Sequence, residues 1–224
     1  MEAKPAQARL VRVAARALGR HHLVHAYGHC SVRLDAGHFL VAPSRPLGLV
    51  EPGEACTVVP LDGALPEGVL GEVRIHREIY RRRPGVGGMV RSMAPRTMSL
   101  GTMGITARPR HGPGCYFAPG PAFWDDPQLI RTDQQAEQMA HQLGQGRAIV
   151  MRGNGAVTAG ASLEEAVVLT WYLEDASRVE MDCLAGGNPL ERGVIDTEAA
   201  RSRATWSGRI MERMWEYLTA GDLE

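Results

Sequence analysis

Glu72 and His76 stand four residues apart in "GEVRIHREIYRRR", a stretch with helical periodicity, so their side chains fall on one helix face. A carboxylate beside an imidazole is an acid/base pair when it is partly desolvated; a solvated surface pair has the same spacing. In "VRSMAP", residues 90–95, Arg91 and Met93 follow a run, "PGVGGMV", that reads as a buried strand. Side chains at i and i+2 of a strand share a face, so a cation and a thioether look the same way at the end of that strand. "APSRPLG", residues 42–48, is a turn whose Ser44 and Arg45 can hold an anion, although an ordinary loop reads alike. "MRGNGAVTAG", residues 151–160, sets Asn154 between two glycines at a strand end. Glycine there lets backbone approach a ligand closely, or simply makes a turn. His21, His22, His25 and His29 crowd a helix end. His21 and His25 have the spacing to share a metal, but no Cys or acidic partner accompanies them, and solvated or capping roles serve equally.

These residues need elements to hold them. Leu10, Val13, Ala14, Ala17 and Leu18 recur at helical spacing and predict a first helix over about residues 5–25. "SVRL", a "DAG" turn and "HFLVAP" form a hairpin, and "CTVVPLDG" is a further short strand. "GEVRIHREIYRRR" is a helix closed by Pro84 and Gly85; "GVGGMVRSM" and "RAIVMRG" are strands. Thr132 with Gln135, and Ser162 with Glu165, are capping boxes opening two helices that stop at Gly144 and Gly186. Trp206, Ile210, Met214 and Leu218 at i, i+4 spacing predict one amphipathic helix over about 197–220. The expected organisation is a single α/β domain over 1–190, with 191–224 a helical tail of the same domain or of an oligomer interface.

Composition excludes several classes of function. The chain has 224 residues with 25 basic and 25 acidic side chains, which gives no electrostatic case for nucleic acid or an anionic membrane. No apolar run approaches the roughly 20 residues that span a bilayer. The N-terminal segment is rich in Ala and Arg but has no long apolar core. Cys30, Cys56, Cys115 and Cys183 are scattered singly, as reduced thiols rather than disulfides or a zinc site. The expected location is the cytoplasm.

The order of the motifs carries more than any one of them. "YGHCSVRL", "FLVAPSRPLGLVEPGEACTVVPLDG", "GEVRIHREIYRRRPGVGGMV", "AIVMRGNGAVTAGASLEEAV" and "WYLEDASRVEMDCLAGG" together resemble the class II aldolase/adducin family, over about residues 7–187. The likeness is closest to the branch of hydroxyphthalate-type aromatic decarboxylases, with its "GHxSxR", "ERxIHxxIY" and "RPxV" segments. It implies a three-layer α/β fold with a central, mostly antiparallel sheet flanked by helices, and a homotetramer. In metal-dependent members, the strand after "RPxV" ends in His-x-His, and a third His lies in "RGHG". Three imidazoles there hold a divalent cation that acts as a Lewis acid. The corresponding residues here are Arg91, Met93 and Asn154, so the resemblance leads us to expect no metal and no other cofactor. A guanidinium, always protonated, can instead bind a carboxylate or oxyanion bidentately.

Glu72 matches the family's acid/base carboxylate, and His29 and His76 also match its pattern. The sugar-phosphate aldolases place Ser-Ser before the Glu and Gly at position 45; this chain has Leu70, Gly71 and Arg45, which favours a carboxylated, in particular an aromatic, substrate. The expected function is metal-independent carbon–carbon lyase chemistry, decarboxylation or retro-aldol cleavage, on a small carboxylate. Glu72, Arg91, His29 and His76 are the expected catalytic residues, and Ser44, Arg45, Asn154, Met93 and Gly28 the substrate-binding ones. Two rival readings stand beside it: a catalytically silent, adducin-like binding module, and a biosynthetic enzyme of the non-haem iron oxygenase type.

Overall fold

Alternation along the strands sets the layers. In the computed structural model, which describes residues 3–224, even-numbered Cys30, Val32, Leu40, Val90, Ala148, Val150 and Ala156 belong to one apolar cluster. Odd-numbered Phe39, Val41, Met89, Ile149, Met151, Val157 and Ala159 belong to another. Period two puts these sets on opposite faces of one sheet. The strands are β1 (His29–Arg33), β2 (His38–Val41), β3 (Thr57–Pro60), β4 (Gly88–Ser92), β5 (Ala122–Trp124), β6 (Ala148–Met151) and β7 (Ala156–Gly160). Their spatial order is β3-β2-β1-β4-β7-β6-β5, and only β5 runs parallel to its neighbour. The mostly antiparallel sheet flanked by helices is therefore as the sequence led us to expect.

The helices are α1 (Pro5–Arg20), α2 (Arg74–Arg82), α3 (Pro95–Thr102), α4 (Gly112–Cys115), α5 (Asp133–Leu143), α6 (Leu163–Ala185), α7 (Thr197–Arg203) and α8 (Ile210–Thr219). α1 and α6 cover the first face through Val11, Leu18, Val167 and Leu173, and α2 and α5 cover the second through Ile75, Ile79, Met139 and Leu143. Each such side chain contributes roughly 1.5–3 kcal/mol when fully buried. Arg33 locks α2 onto the sheet: its guanidinium donates to the carbonyls of Tyr80 (2.7 Å), Arg83 (3.1 Å) and Val86 (2.7 Å), at the carbonyl-rich end of the helix.

Three expectations need correction. The first helix stops at Arg20 rather than residue 25, because His22 takes a left-handed conformation (φ 56°) just past its end. The expected helix over 197–220 is two helices, broken where Gly208 and Arg209 turn left-handed (φ 71° and 58°). The break lets Trp206 pack at a tilt against Tyr116, centroids 4.3 Å apart, with Tyr172 stacked beyond at 6.1 Å, instead of continuing a helical stripe. Finally, the Ser162 cap is present (3.2 Å from the Glu165 amide), but the Glu165 carboxylate reaches back to the Ala161 amide at 3.1 Å, one residue short of a regular box. The Thr132–Gln135 box closes in both directions, at 3.0 and 3.2 Å.

Candidate functional site

The site forms where β1 begins and β4 ends. His29 and Arg91 are register partners on these antiparallel strands, so their side chains stand side by side on the face covered by α2. Met93 follows Arg91 by two, one residue past the end of β4. Asn154 sits at the tip of the turn between β6 and β7. Gly155 there is left-handed (φ 73°), and a Cβ on it would lie 2.0 Å from the Ser92 carbonyl oxygen. Only glycine lets the turn press against the end of β4 and bring Asn154 over Arg91. Glu72 lies in a single 3-10 turn, Gly71–Val73, that leads into α2. The three polar side chains close a triangle. Arg91 Nη2 donates to Asn154 Oδ1 at 2.7 Å and lies 3.3 Å from Glu72 Oε2, while Asn154 Nδ2 donates to Glu72 Oε1 at 3.4 Å.

A cavity of about 640 Å³ opens over this triangle, lined by Gly28, His29, Ser44, Arg45, Glu72, Arg91, Met93 and Asn154. Eight of the nine residues singled out from the sequence therefore meet around one space. His76 is the exception: it is fully buried in α2 and does not line the cavity. Its expected place beside substrate is corrected to a place behind His29. Of the four clustered histidines only His29 reaches the cavity; His21 instead bonds the Leu218 carbonyl at 3.1 Å. Sequence reasoning missed Tyr27 and Leu129, exposed side chains at the rim beside Leu70, and Arg131 before α5. Nothing in local spacing marks them, since three separate loops bring them together. Another cavity, about 530 Å³ beside Tyr116, Arg147 and Arg201, is lined by no carboxylate or imidazole.

The electrostatics are unusual for a protein interior. Arg91 is almost fully buried, yet its Nε and Nη1 have no hydrogen-bond partner. Burial lowers the proton affinity of its guanidinium and the nearby Glu72 raises it, but the group stays charged. Behind it lies a buried chain of hydrogen bonds. His29 Nδ1 meets His76 Nε2 at 3.0 Å, His76 Nδ1 meets Ser31 Oγ at 2.6 Å, and Ser31 Oγ meets the Tyr80 hydroxyl at 3.0 Å. Burial, then the Arg91 charge, pushes His76 down to about 3. Burial, then His76 and Arg91, holds His29 well below the usual histidine range, so both imidazoles are neutral near pH 7. His29 Nε2 is also unpartnered. The residues that line the cavity thus carry two unpaired guanidinium nitrogens and one unpaired imidazole nitrogen, all three buried, beside the Glu72 carboxylate. Among the described residues, no group of three or more His, Cys, Asp or Glu side chains is arranged to hold a metal ion.

The fold is a three-layer α/β architecture with a cation and a carboxylate at a strand end, and comparison with known proteins gives its family. The sequence pattern of the Class II Aldolase and Adducin N-terminal domain matches residues 8–181. The chain belongs to the class II aldolase and adducin family. It is similar to the 3,4-dihydroxyphthalate decarboxylase of Arthrobacter keyseri, at 29% identity over 183 residues, covering 73% of this chain and 73% of that protein. The decarboxylase tropJ of Talaromyces stipitatus is 27% identical over 193 residues, covering 73% of this chain and 71% of its own. Among solved structures, L-fuculose-1-phosphate aldolase from Thermus thermophilus superposes with a TM-score of 0.72 at 26% identity, over 83% of this chain and 99% of that one. No helix among the described residues is long and apolar enough to cross a membrane.

Proposed function

We propose that this protein is a carbon–carbon lyase that decarboxylates a small hydroxylated carboxylate, aromatic acids in particular, without a metal ion, and that it works as a homo-oligomer. The observation that carries the reading is the buried Arg91 guanidinium, with Nε and Nη1 unmatched, on a residue that lines the cavity. An unmatched buried donor costs about 1–3 kcal/mol, and more when charged, so the fold holds these donors at a loss that an oxyanion would recover. The decarboxylases among the relatives point the same way.

The side chains at the family's three ligand positions do not fit a divalent cation. Arg91 carries positive charge there, Met93 offers a thioether, and the amide oxygen of Asn154 already accepts from Arg91 at 2.7 Å. The cation's electrostatic work passes to Arg91. It holds an oxyanion that the substrate retains, because a cation fixed on the departing carboxylate would favour the ground state over the CO₂-like transition state. Glu72, 3.3 Å from Arg91, lies within reach of an anion bound there and is placed to carry a proton to it. Glu72 takes that proton from solvent and delivers it to the carbon bearing the carboxylate. The C–C bond then breaks, its electron pair stays with the substrate and CO₂ leaves. One carboxylate and one proton have become one C–H bond and one CO₂.

The test is CO₂ release from a panel of hydroxybenzoates and benzene dicarboxylates by protein treated with a strong chelator. The expected result is turnover of at least one acid, undiminished by chelation. No turnover of any acid, or turnover only after zinc, iron or manganese is added back, would overturn the reading.

A further inference from the structure

The hydrogen-bond chain behind the cavity has a direction. Tyr80 OH lies 3.1 Å from the Ser31 carbonyl oxygen, which can only accept, so the phenol proton points there. Its oxygen then has only lone pairs to offer Ser31 Oγ at 3.0 Å, and the Ser31 hydroxyl donates to it. Ser31 Oγ in turn accepts from His76 Nδ1–H at 2.6 Å, which leaves His76 Nε2 as a lone pair accepting from His29 Nδ1–H at 3.0 Å. The chain ends on His29 Nε2, a buried nitrogen without a partner on a residue that lines the cavity. The opposite wiring would turn the Ser31 hydroxyl to His76 and make the one phenol proton serve both oxygens of Ser31, one hydrogen bond fewer. It would also point an N–H from His29 into the space it shares with the Arg91 cation, its cross-strand partner. Burial holds Tyr80 in its protonated, donating form.

We infer that Tyr80, Ser31 and His76 fix His29 as a hydrogen-bond acceptor toward the cavity, so that the site selects a substrate carrying a hydroxyl beside the anion held by Arg91. The selectivity half rests on the oxyanion reading of the site; the wiring half does not. Weakly basic and buried, His29 positions and polarises that hydroxyl rather than storing its proton. Ser31, Tyr80 and His76 act through it as positioning residues. A substrate without the hydroxyl leaves the buried acceptor unpaired, which is how sites of this kind discriminate.

The experiment is long-range ¹H–¹⁵N correlation on full-length protein labelled with ¹⁵N-histidine, near pH 7. Both His29 and His76 are expected as Nδ1–H tautomers. Tyr80→Phe removes the acceptor for the Ser31 hydroxyl, so both rings are expected to switch to Nε2–H. An Nε2–H His29 in the wild type, or tautomers unchanged in Tyr80→Phe, would overturn the wiring. Should Tyr80→Phe fail to fold, Ser31→Ala serves: His29 is expected to populate both tautomers, and an unmixed Nδ1–H form overturns the wiring. Calorimetry then compares benzoate with 2- and 3-hydroxybenzoate on the wild type. At least one hydroxylated acid is expected to bind on the order of 10-fold tighter than benzoate. Equal affinities would overturn the selectivity. Failure of all three to bind, with the tautomers as expected, would overturn the oxyanion reading and the selectivity with it, and leave the wiring standing.

Discussion

Two buried arginines in this molecule show how differently one side chain can be used. Arg110, in the loop between α3 and α4, has a side chain only 4% exposed, against 3% for Arg91. Every nitrogen of its guanidinium is occupied. Nε and Nη2 donate to the Glu180 carboxylate at 2.8 and 3.1 Å, Nη2 also reaches the Leu190 carbonyl at 2.6 Å, and Nη1 donates to the Arg192 carbonyl. Arg108 adds its own guanidinium and backbone amide to Glu180. Arg91 has a side chain as little exposed and the same charge, but only Nη2 is matched, at 2.7 Å from Asn154 and 3.3 Å from Glu72. A saturated buried ion pair ties segments of the chain together, whereas an unsaturated one beside a cavity is poised for a ligand.

The sharpest way to separate the two regions is to remove one carboxylate from each. Glu72→Gln is expected to spare the fold and anion binding, and to cut turnover by about 10²–10⁴-fold, the usual loss for a positioned acid/base group. Steady-state kinetics beside calorimetric binding check this; wild-type turnover in the variant would remove Glu72 from the chemistry. Glu180→Gln is expected to act the other way, taking from Arg110 its carboxylate and from Arg108 one of two, the other being the exposed Glu191, at about 3–5 kcal/mol. For a chain of this size that is a fall in Tm of roughly 6–20 °C, with binding at the cavity unchanged below the melt. Burial alone would raise the Glu180 carboxyl, but hydrogen bonds from Arg110 and Arg108 outweigh it and hold the group low. Its contribution is therefore present above the ordinary carboxylate range and is lost as pH falls through its depressed value.

A smaller effect comes from the two neutral histidines behind Arg91. Both are held below the ordinary histidine value, His76 at about 3. As pH falls below about 6.5 the unfolded chain takes up protons that the folded chain refuses, so stability present above that pH is lost below it. By pH 5 the loss amounts to about 2 kcal/mol for His76, and His29 adds to it in the same direction. Thermal melts at pH 7.5 and 5 should show this fall in the wild type and a smaller one in His76→Asn. Equal falls in both proteins would mean that His76 is not held neutral.

Which parts of this were legible beforehand follows from how far each signal reaches along the chain. Arg91 and Met93 are two apart on a strand, so their shared side could be read from spacing. Thr132 with Gln135 spells out a helix start in four residues. His29 and Ser31 on one strand face, and His76 and Tyr80 one turn apart on a helix, carry the same kind of signal, yet the pairing of those two faces is a contact across 45–49 residues that no local pattern states. Family resemblance brought Glu72 and Arg91 to one pocket on paper, and in the structure they lie 3.3 Å apart. Glu72 and His76, read as neighbours on one helix face, are separated because Glu72 lies in the 3-10 turn before α2 begins. Arg131 and the rim residues were invisible because loop packing alone brings them to the cavity. Trp206 was misread because a left-handed break overrides an amphipathic stripe.

The central claim is that Arg91 is buried for a ligand and not for the fold. Calorimetric titration of hydroxybenzoates into wild type, Arg91→Met and Arg91→Lys, with a thermal melt of each, tests it most directly. The expected result is loss of binding in Arg91→Met with a Tm equal to or above that of the wild type, since an unmatched buried charge has been removed. Arg91→Lys should recover little, because an ammonium keeps the charge but loses the planar fork. Wild-type affinity in Arg91→Met, or a fall in Tm on the scale expected for Glu180→Gln, would contradict the claim and make Arg91 a structural residue like Arg110.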